Sequence, residues 1–314
     1  MLGRKFRIQK LSLAAVALAA VPALLATIPQ VQSRAPATAP DQRDMAIQQA
    51  VEAITARAHG RIGVAAADLD GGGQVLINGD MPFPMASTAK IAVAGTFLTG
   101  VEQGRFRLDQ SLPMMMPVAE RRERGSSAPL RAGPVMSAQQ LMELMITRSN
   151  NNATDGLITA VGGVSTVNAW LARNGIVGQH LDSTMATLVR DDGHVNPAKT
   201  IDTRTASTPR AMLALLSAID RGTALSPQSR AVLLDTMTRT STGKNRMRAG
   251  LPDGRHLALA IFIAGPESHT SHAMMIADIT RALYDGYAKA DTAYARADGY
   301  VRGAPHGQPT QNRR

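Results

Sequence analysis

Ile47, Val51 and Ile54 recur at the i, i+4 and i+7 positions of one helical face and predict an amphipathic helix over residues 44–58. Apolar runs at residues 61–69 and 75–78 flank Asp70-Gly71-Gly72-Gly73, a glycine-rich turn, and predict a β-hairpin. A helix is expected to start near Ser87. Ser137-Ala138-Gln139-Gln140 has the spacing of a capping box, and Leu141, Leu144 and Met145 give the helix it opens an inward face. Further helices are predicted over residues 153–161 and 165–174. Two more follow Thr208-Pro209 and Ser226-Pro227, where a hydroxyl N-cap precedes a first-turn proline, and the second is expected to end near Met237. Residues 257–263 are an uninterrupted apolar strand, and residues 272–284 a final helix. Strands near both ends with helices between them predict an α+β fold. Its antiparallel sheet is built from both chain ends and covered by helices, with an inserted all-helical region over about residues 98–238.

The ends of the chain read differently. Residues 1–10 carry Arg4, Lys5, Arg7 and Lys10, and residues 11–26 are uncharged and mainly apolar. Val31-Gln32-Ser33 then offers side chains that a signal peptidase accepts, so residues 1–33 read as a secretory signal. A run of sixteen residues falls short of the ~20 that span a bilayer comfortably, which favours cleavage over an uncleaved anchor. No cysteine follows that run to carry a lipid anchor. Residues 34–43, rich in Ala and Pro, are a linker, residues 44–290 the folded domain, and residues 291–314 a flexible tail. The expected location is the periplasm or the medium, with no membrane association after cleavage.

Composition narrows the chemistry. The chain has 314 residues, 44% hydrophobic and 18% charged, which supplies a sizeable core and excludes a largely disordered protein. It has no cysteine, which excludes disulfides, thiolate metal sites and a thiol nucleophile. The net charge of +10 resembles a nucleic-acid signal, but four of those charges lie in the export segment. The densest remaining cluster, Arg121, Arg122 and Arg124, is interleaved with Glu120 and Glu123, as on a solvated face. With only 3% aromatic residues to stack on bases, no nucleic-acid partner is expected.

The informative segment is Met85-Ala86-Ser87-Thr88-Ala89-Lys90. At a helix start, Ser87 and Lys90 lie three apart on one face. A serine hydroxyl becomes a nucleophile when a neighbouring base takes its proton, and a lysine does this once burial or nearby cations depress its pKa. The spacing alone also describes an N-cap serine beside a solvated lysine. A second constellation follows: Met145-Ile146-Thr147-Arg148-Ser149-Asn150-Asn151-Asn152-Ala153-Thr154-Asp155, crossing from one predicted helix into the next.

Together these elements resemble the class A β-lactamases and related penicillin-recognising serine hydrolases. The resemblance implies Ser87 as nucleophile, Lys90 as a base, Ser149 as the hydroxyl that relays a proton to the leaving nitrogen, and Asn151 as the amide that orients the substrate's acylamino group. The family's Ser-Asp-Asn is here Ser-Asn-Asn, with an amide at Asn150 in place of a carboxylate. Residues 202–212 resemble the end of the family's omega loop. An ungapped count back from there puts Arg190 at the loop's opening arginine, Asp192 at the general-base glutamate and Asn196 at the asparagine that holds the hydrolytic water. Asp192 is one methylene shorter than that glutamate. Thr205 stands where the arginine usually meets an aspartate, so a less firmly closed loop is expected.

The largest departure is the absence of Lys-Thr-Gly anywhere in the chain. In the family that motif lies on a strand beside the nucleophile and supplies one of two oxyanion donors. Here Asp253-Gly254-Arg255-His256 runs directly into the last strand, as though two strands between similar proline-containing turns had been deleted. Thr242-Gly243-Lys244 lies earlier and reads as a turn, without the Gly and Ser/Thr positions of a P-loop. His269 and His272 lack an evident third ligand and read as surface or helix-cap residues. Met114, Met115 and Met116 read as adaptable packing rather than a copper site. The resulting expectation is an exported monomer that hydrolyses a β-lactam through a serine acyl-enzyme, impaired by loss of the Lys-Thr-Gly strand, with no metal or other cofactor. The alternatives are an inactive penicillin-binding-like homologue or a D,D-peptidase acting on cell-wall peptides.

Overall fold

The computed structural model describes residues 42–70, 72–118, 127–191, 200, 203–247, 256–266 and 268–301. The chain opens with helix α1 (Gln42–Thr55) and the hairpin β1 (Arg61–Asp68) and β2 (Gln74–Ile77). A short strand β3 (Phe83–Pro84) leads through a single 3-10 turn (Ala86–Ala89) into α2 (Lys90–Glu102). Strands β4 (Ser111–Pro117) and β5 (Leu130–Ser137) are followed by α3 (Ala138–Thr147), α4 (Asn151–Val161) and α5 (Val164–Arg173). Then come β6 (Gln179–His180), α6 (Met185–Arg190), β7 (Ala206–Ser207), α7 (Pro209–Asp220) and α8 (Pro227–Thr238). Strand β8 (Leu257–Ala264) and helix α9 (His269–Val301) complete the described chain.

The main sheet has the order β2-β1-β8, all antiparallel, so strands from the two ends of the chain lie side by side as expected. Its register pairs Val64 with Ile77 on one side and Arg61 with Ala264 through Asp68 with Leu257 on the other. Because side chains alternate across a strand, β1 serves two cores at once. Ile62, Val64 and Ala66 pack with Val75, Leu259, Ile47 and Val51 of α1 and Ile279, Leu283 and Tyr287 of α9. Ala65 and Ala67 face the opposite way, with Ala258, Ala260 and Phe262, into the larger core made by α2 to α8. Burial on both faces explains why β1 and β8 read as continuous apolar runs.

Local signals match the elements they predicted. Ser137 and Gln140 form the expected reciprocal capping box on α3, and Thr208 and Ser226 cap α7 and α8 ahead of their prolines. Two differences stand out. The helical region also contains the β4–β5 hairpin, in which the methionine run 114–116 lies on a strand. That hairpin packs on α4, where Gly156 leaves room for the Pro113 carbonyl: a Cβ there would lie 2.6 Å from that oxygen. The final helix also runs on past Tyr284 to Val301, into the segment expected to be a flexible tail. Buried Tyr287 and the contact of Gly286 with Ile47 extend its docked face, and the alanine-rich stretch after residue 288 favours helix without an apolar period.

Helix α2 carries the deepest packing. Gly95 lies against the indole of Trp170 from α5, and a Cβ at Gly95 would fall 2.5 Å from the ring. The ring cannot retreat freely, because Trp170 Nε1 donates to Thr99 Oγ1 at 2.7 Å, one turn along the same helix. Gly95→Ala would gain helix propensity but lose more to overpacking, and it is expected to destabilise the protein by about 1–2 kcal/mol, read as a lower urea midpoint with unchanged slope.

Candidate active site

The site is assembled from the starts of α2 and α4 and the end of α3. Ser87 lies on the 3-10 turn, preceded by Ala86 in a left-handed conformation at φ 46°. Ser149 lies between the ends of α3 and α4 and is also left-handed, at φ 55°. Non-glycine residues held in that region cost about 1–3 kcal/mol each and persist only where the surroundings dictate them. Here the surroundings include the cap of α4. Asn150 Oδ1 accepts from Ala153 N at 2.9 Å, and Asn150 N donates to Leu144 O at 3.1 Å. An amide oxygen therefore caps this helix as a carboxylate would.

Four of the six site residues singled out in the sequence meet. Ser87 Oγ and Ser149 Oγ are 2.6 Å apart. Lys90, the first residue of α2, is only 2% exposed. Its Nζ lies 3.0 Å from Ser87 Oγ, 2.8 Å from Ser149 Oγ, 2.9 Å from Ser149 O and 2.8 Å from Asn151 Oδ1. An ammonium has three protons for these four oxygens. A neutral amine fits them differently: two N–H bonds serve the Ser149 and Asn151 carbonyl oxygens, and the lone pair accepts from a serine O–H. Burial lowers the Lys90 pKa to about 8, against the opposing pull of Asp155.

Asp155 is a residue of this site to which sequence reasoning assigned no role. It lies one turn beyond Asn151 on α4, is 1% exposed, and accepts the Met185 and Ala186 amides at 2.7 and 2.9 Å. Burial pushes its pKa up to about 6, opposed by those two amides and by Lys90. It thus ties α4 to the start of α6 and supplies a buried negative charge near the lysine. The available signal was a carboxylate at i+4 from Asn151, in the first turns of α4.

Thr205, where a less firmly closed loop is expected, is tied to Asp182, and most of the loop between Arg190 and Thr205 lies outside the described residues. Asp182 N donates to Thr205 Oγ1 at 3.1 Å, and Thr205 N donates to Asp182 Oδ2 at 3.2 Å. Thr205 O in turn accepts from Met85 N at 3.1 Å, two residues before Ser87. The small sheet β3-β7-β6 reinforces this join. Arg190 closes α6 and its Nε donates to Asp191 Oδ1 at 2.8 Å. Asp192 and Asn196 lie outside the described residues. Gly243 is left-handed at φ 69° and its carbonyl accepts from Arg246 N, so Thr242-Gly243-Lys244 lies at a turn.

The chain was compared with known proteins. A family model described as "Beta-lactamase enzyme family" matches residues 46–258, ending just inside β8. Beta-lactamase CTX-M-97 of Escherichia coli is 30% identical over 213 residues, covering 66% of this chain and 68% of that protein. Beta-lactamase OXY-1 of Klebsiella oxytoca is 32% identical over 214 residues with the same coverage. Among solved structures, an ancestral class A β-lactamase superposes with a TM-score of 0.63 at 28% identity, over 76% of this chain and 99% of that one. The buried lysine between two serines and an asparagine thus sits in a chain that belongs to the β-lactamase enzyme family, among the class A, penicillin-recognising serine hydrolases.

Proposed function

We propose that this protein is an exported, monomeric serine hydrolase that opens β-lactam rings through an acyl-enzyme on Ser87. The observation that carries the reading is the placement of Lys90 Nζ within 3.0 Å of both Ser87 Oγ and Ser149 Oγ, with its pKa lowered by burial. Neutral Lys90 takes the Ser87 proton as Oγ attacks the lactam carbonyl. The C–N bond then breaks, and Ser149 passes its own proton to the ring nitrogen while Lys90 returns one to Ser149. Asn151 orients the acylamino side chain. In deacylation, Asp192 activates a water held by Asn196, and the Ser87 ester is hydrolysed. The basic segment followed by an uncharged apolar run at residues 11–26 supports export. No helix among the described residues is long and apolar enough to cross a membrane.

Turnover is expected to be slow. The chain has no Lys-Thr-Gly, and a single missing oxyanion donor costs ~100- to 1000-fold. The shorter carboxylate of Asp192, withdrawn by roughly 1 Å, costs on the order of 100-fold in the step it serves. The three-stranded main sheet among the described residues also favours a second reading, a homologue that binds cell-wall peptides or penicillins without turnover. A fluorescent penicillin distinguishes these. Labelling of the wild type and not of Ser87→Ala supports the acyl-enzyme, and no labelling of either favours the inactive homologue. Accumulation of the label in Asp192→Ala, with slow release in the wild type, identifies the lactamase; release unaffected by that change points to a peptidase.

The acylation rate is expected to rise about tenfold per pH unit up to about 8 and to level above it, because only the deprotonated lysine acts as base. Asp155 favours the charged lysine, so Asp155→Asn should move that rise to lower pH. The same change leaves one of the Met185 and Ala186 amides without its acceptor. A stability loss of about 1–3 kcal/mol is expected in urea unfolding. An unmoved pH profile would rule out coupling between the two buried groups.

A further inference from the structure

The turn that carries Ser149 is gripped from outside the cluster around Lys90. Ser241, three residues past the end of α8, donates twice to Thr147 O, through its backbone N at 3.0 Å and through Oγ at 2.8 Å. Thr147 is the last residue of α3 and is buried, and a carbonyl at a helix end has no partner within the helix. A second tie lies one turn earlier. Arg239 donates to both carboxylate oxygens of Glu143, at 3.2 and 2.7 Å, and also pairs with Asp235 of α8. Thr147 Oγ1 joins the two ties by donating to Glu143 O at 2.7 Å.

Ser149 needs such support. Its φ of 55° is left-handed, a conformation that a residue with a Cβ keeps only where its surroundings impose it. After Ser149 the chain is fixed by Asn150, whose N donates to Leu144 O and whose Oδ1 caps α4. Before Ser149 it is fixed by the Thr147 carbonyl, two residues back, in the grip of Ser241. Between these holds, Ser149 Oγ stands 2.6 Å from Ser87 Oγ and 2.8 Å from Lys90 Nζ. A shift of roughly 1 Å at that oxygen would break either contact, and misplacement of this size costs on the order of 100-fold in a proton transfer.

Resting on the function proposed above, we infer that Ser241 is a positioning residue for leaving-group protonation: through the Thr147 carbonyl it holds Ser149 Oγ where its proton reaches the ring nitrogen. It acts through Thr147 and Ser149 and not on the substrate. The effect is specific to amide-type bonds. When a lactam C–N bond breaks, the nitrogen takes the Ser149 proton, and Lys90 replaces it with the proton taken from Ser87. When Ser87 attacks an activated aryl ester, the C–O bond breaks and p-nitrophenolate leaves with the electron pair and no proton, while Lys90 keeps the proton from Ser87. Loss of the Ser241 hydroxyl therefore slows the first reaction and spares the second.

The test follows single-turnover acylation by benzylpenicillin and by p-nitrophenyl acetate. It compares the wild type with Ser241→Ala, Ser241→Thr, Ser149→Ala and the Ser149→Ala/Ser241→Ala double variant. Ser241→Ala is expected to slow acylation by benzylpenicillin about 10-fold and to leave acylation by the ester unchanged, which also shows that the variant is folded. Ser241→Thr keeps the hydroxyl and should restore most of the penicillin rate. In the Ser149→Ala background, Ser241→Ala should cost nothing further, because the hydroxyl it positions is gone. If benzylpenicillin acylates the wild type but Ser241→Ala slows both reactions alike, slows neither, or adds its full cost to that of Ser149→Ala, this proposal fails alone. If benzylpenicillin does not acylate the wild type, the functional reading fails and takes this proposal with it.

Discussion

Burial of the Lys90 amino group constrains the rest of the site. An ammonium removed from water is costly unless polar atoms replace its hydration, and here four oxygens from three residues do so. Those oxygens converge only because Ala86 and Ser149 accept left-handed backbones at the two turns that meet. Asp155 adds a buried negative charge, itself stabilised by two amides of α6. Burial pushes lysine and aspartate toward their neutral forms, and their mutual attraction pushes both back. The result is a lysine whose pKa is lowered to about 8, which suits the proton exchange proposed for it.

The larger fold keeps those turns from relaxing. The strand before Ser87, β3, is fixed through β7 to β6, and Met85 is fixed through its amide to Thr205. Asp182 and Thr205 join the two ends of the long segment between them, so the scaffold closes beneath Ser87 whatever the course of the intervening residues. On the other side, α2 packs through Gly95 against Trp170, which fixes the axis from which Lys90 projects. Rigidity around a strained site is what allows the strain to persist.

Much of this was legible in the sequence where the determinants are local. Caps at Ser137, Thr208 and Ser226, the hairpin turn after Asp70 and the apolar run 257–263 each act within a few residues, and each marked its element. Ser87 and Lys90 were paired by spacing alone, whereas Ser149 and Asn151 joined them only through family resemblance. The β4–β5 hairpin was not legible, because its strands mix proline, glycine and methionine, and most of their residues are only half-buried or exposed, without clean alternation. The ties made by Asp155 and by Asp182 with Thr205 were hidden for another reason. They join segments that are 23 to 31 residues apart through backbone amides, which leave no mark on composition or period.

The absence of Lys-Thr-Gly therefore bears unequally on the two halves of the proposed chemistry. Ser87, Lys90, Ser149 and Asn151 are held by α2, α3 and α4, none of which needs a strand beyond β8. Strand β8 itself is held at its start, where His256 Nε2 lies 2.9 Å from Asp220 Oδ1 and Nδ1 lies 3.3 Å from Asp70 Oδ1. Its faces are covered too, by Phe262 in one core and Leu259 in the other. What the described chain leaves open is an edge: Leu257–Ala264 pairs with β1 on one side and, among the described residues, with no strand on the other. Eight residues without charge or proline are poorly protected against pairing with another chain. The cluster around Lys90 thus stands without Lys-Thr-Gly, and under the proposed function the cost of that motif's absence falls on substrate binding and oxyanion stabilisation.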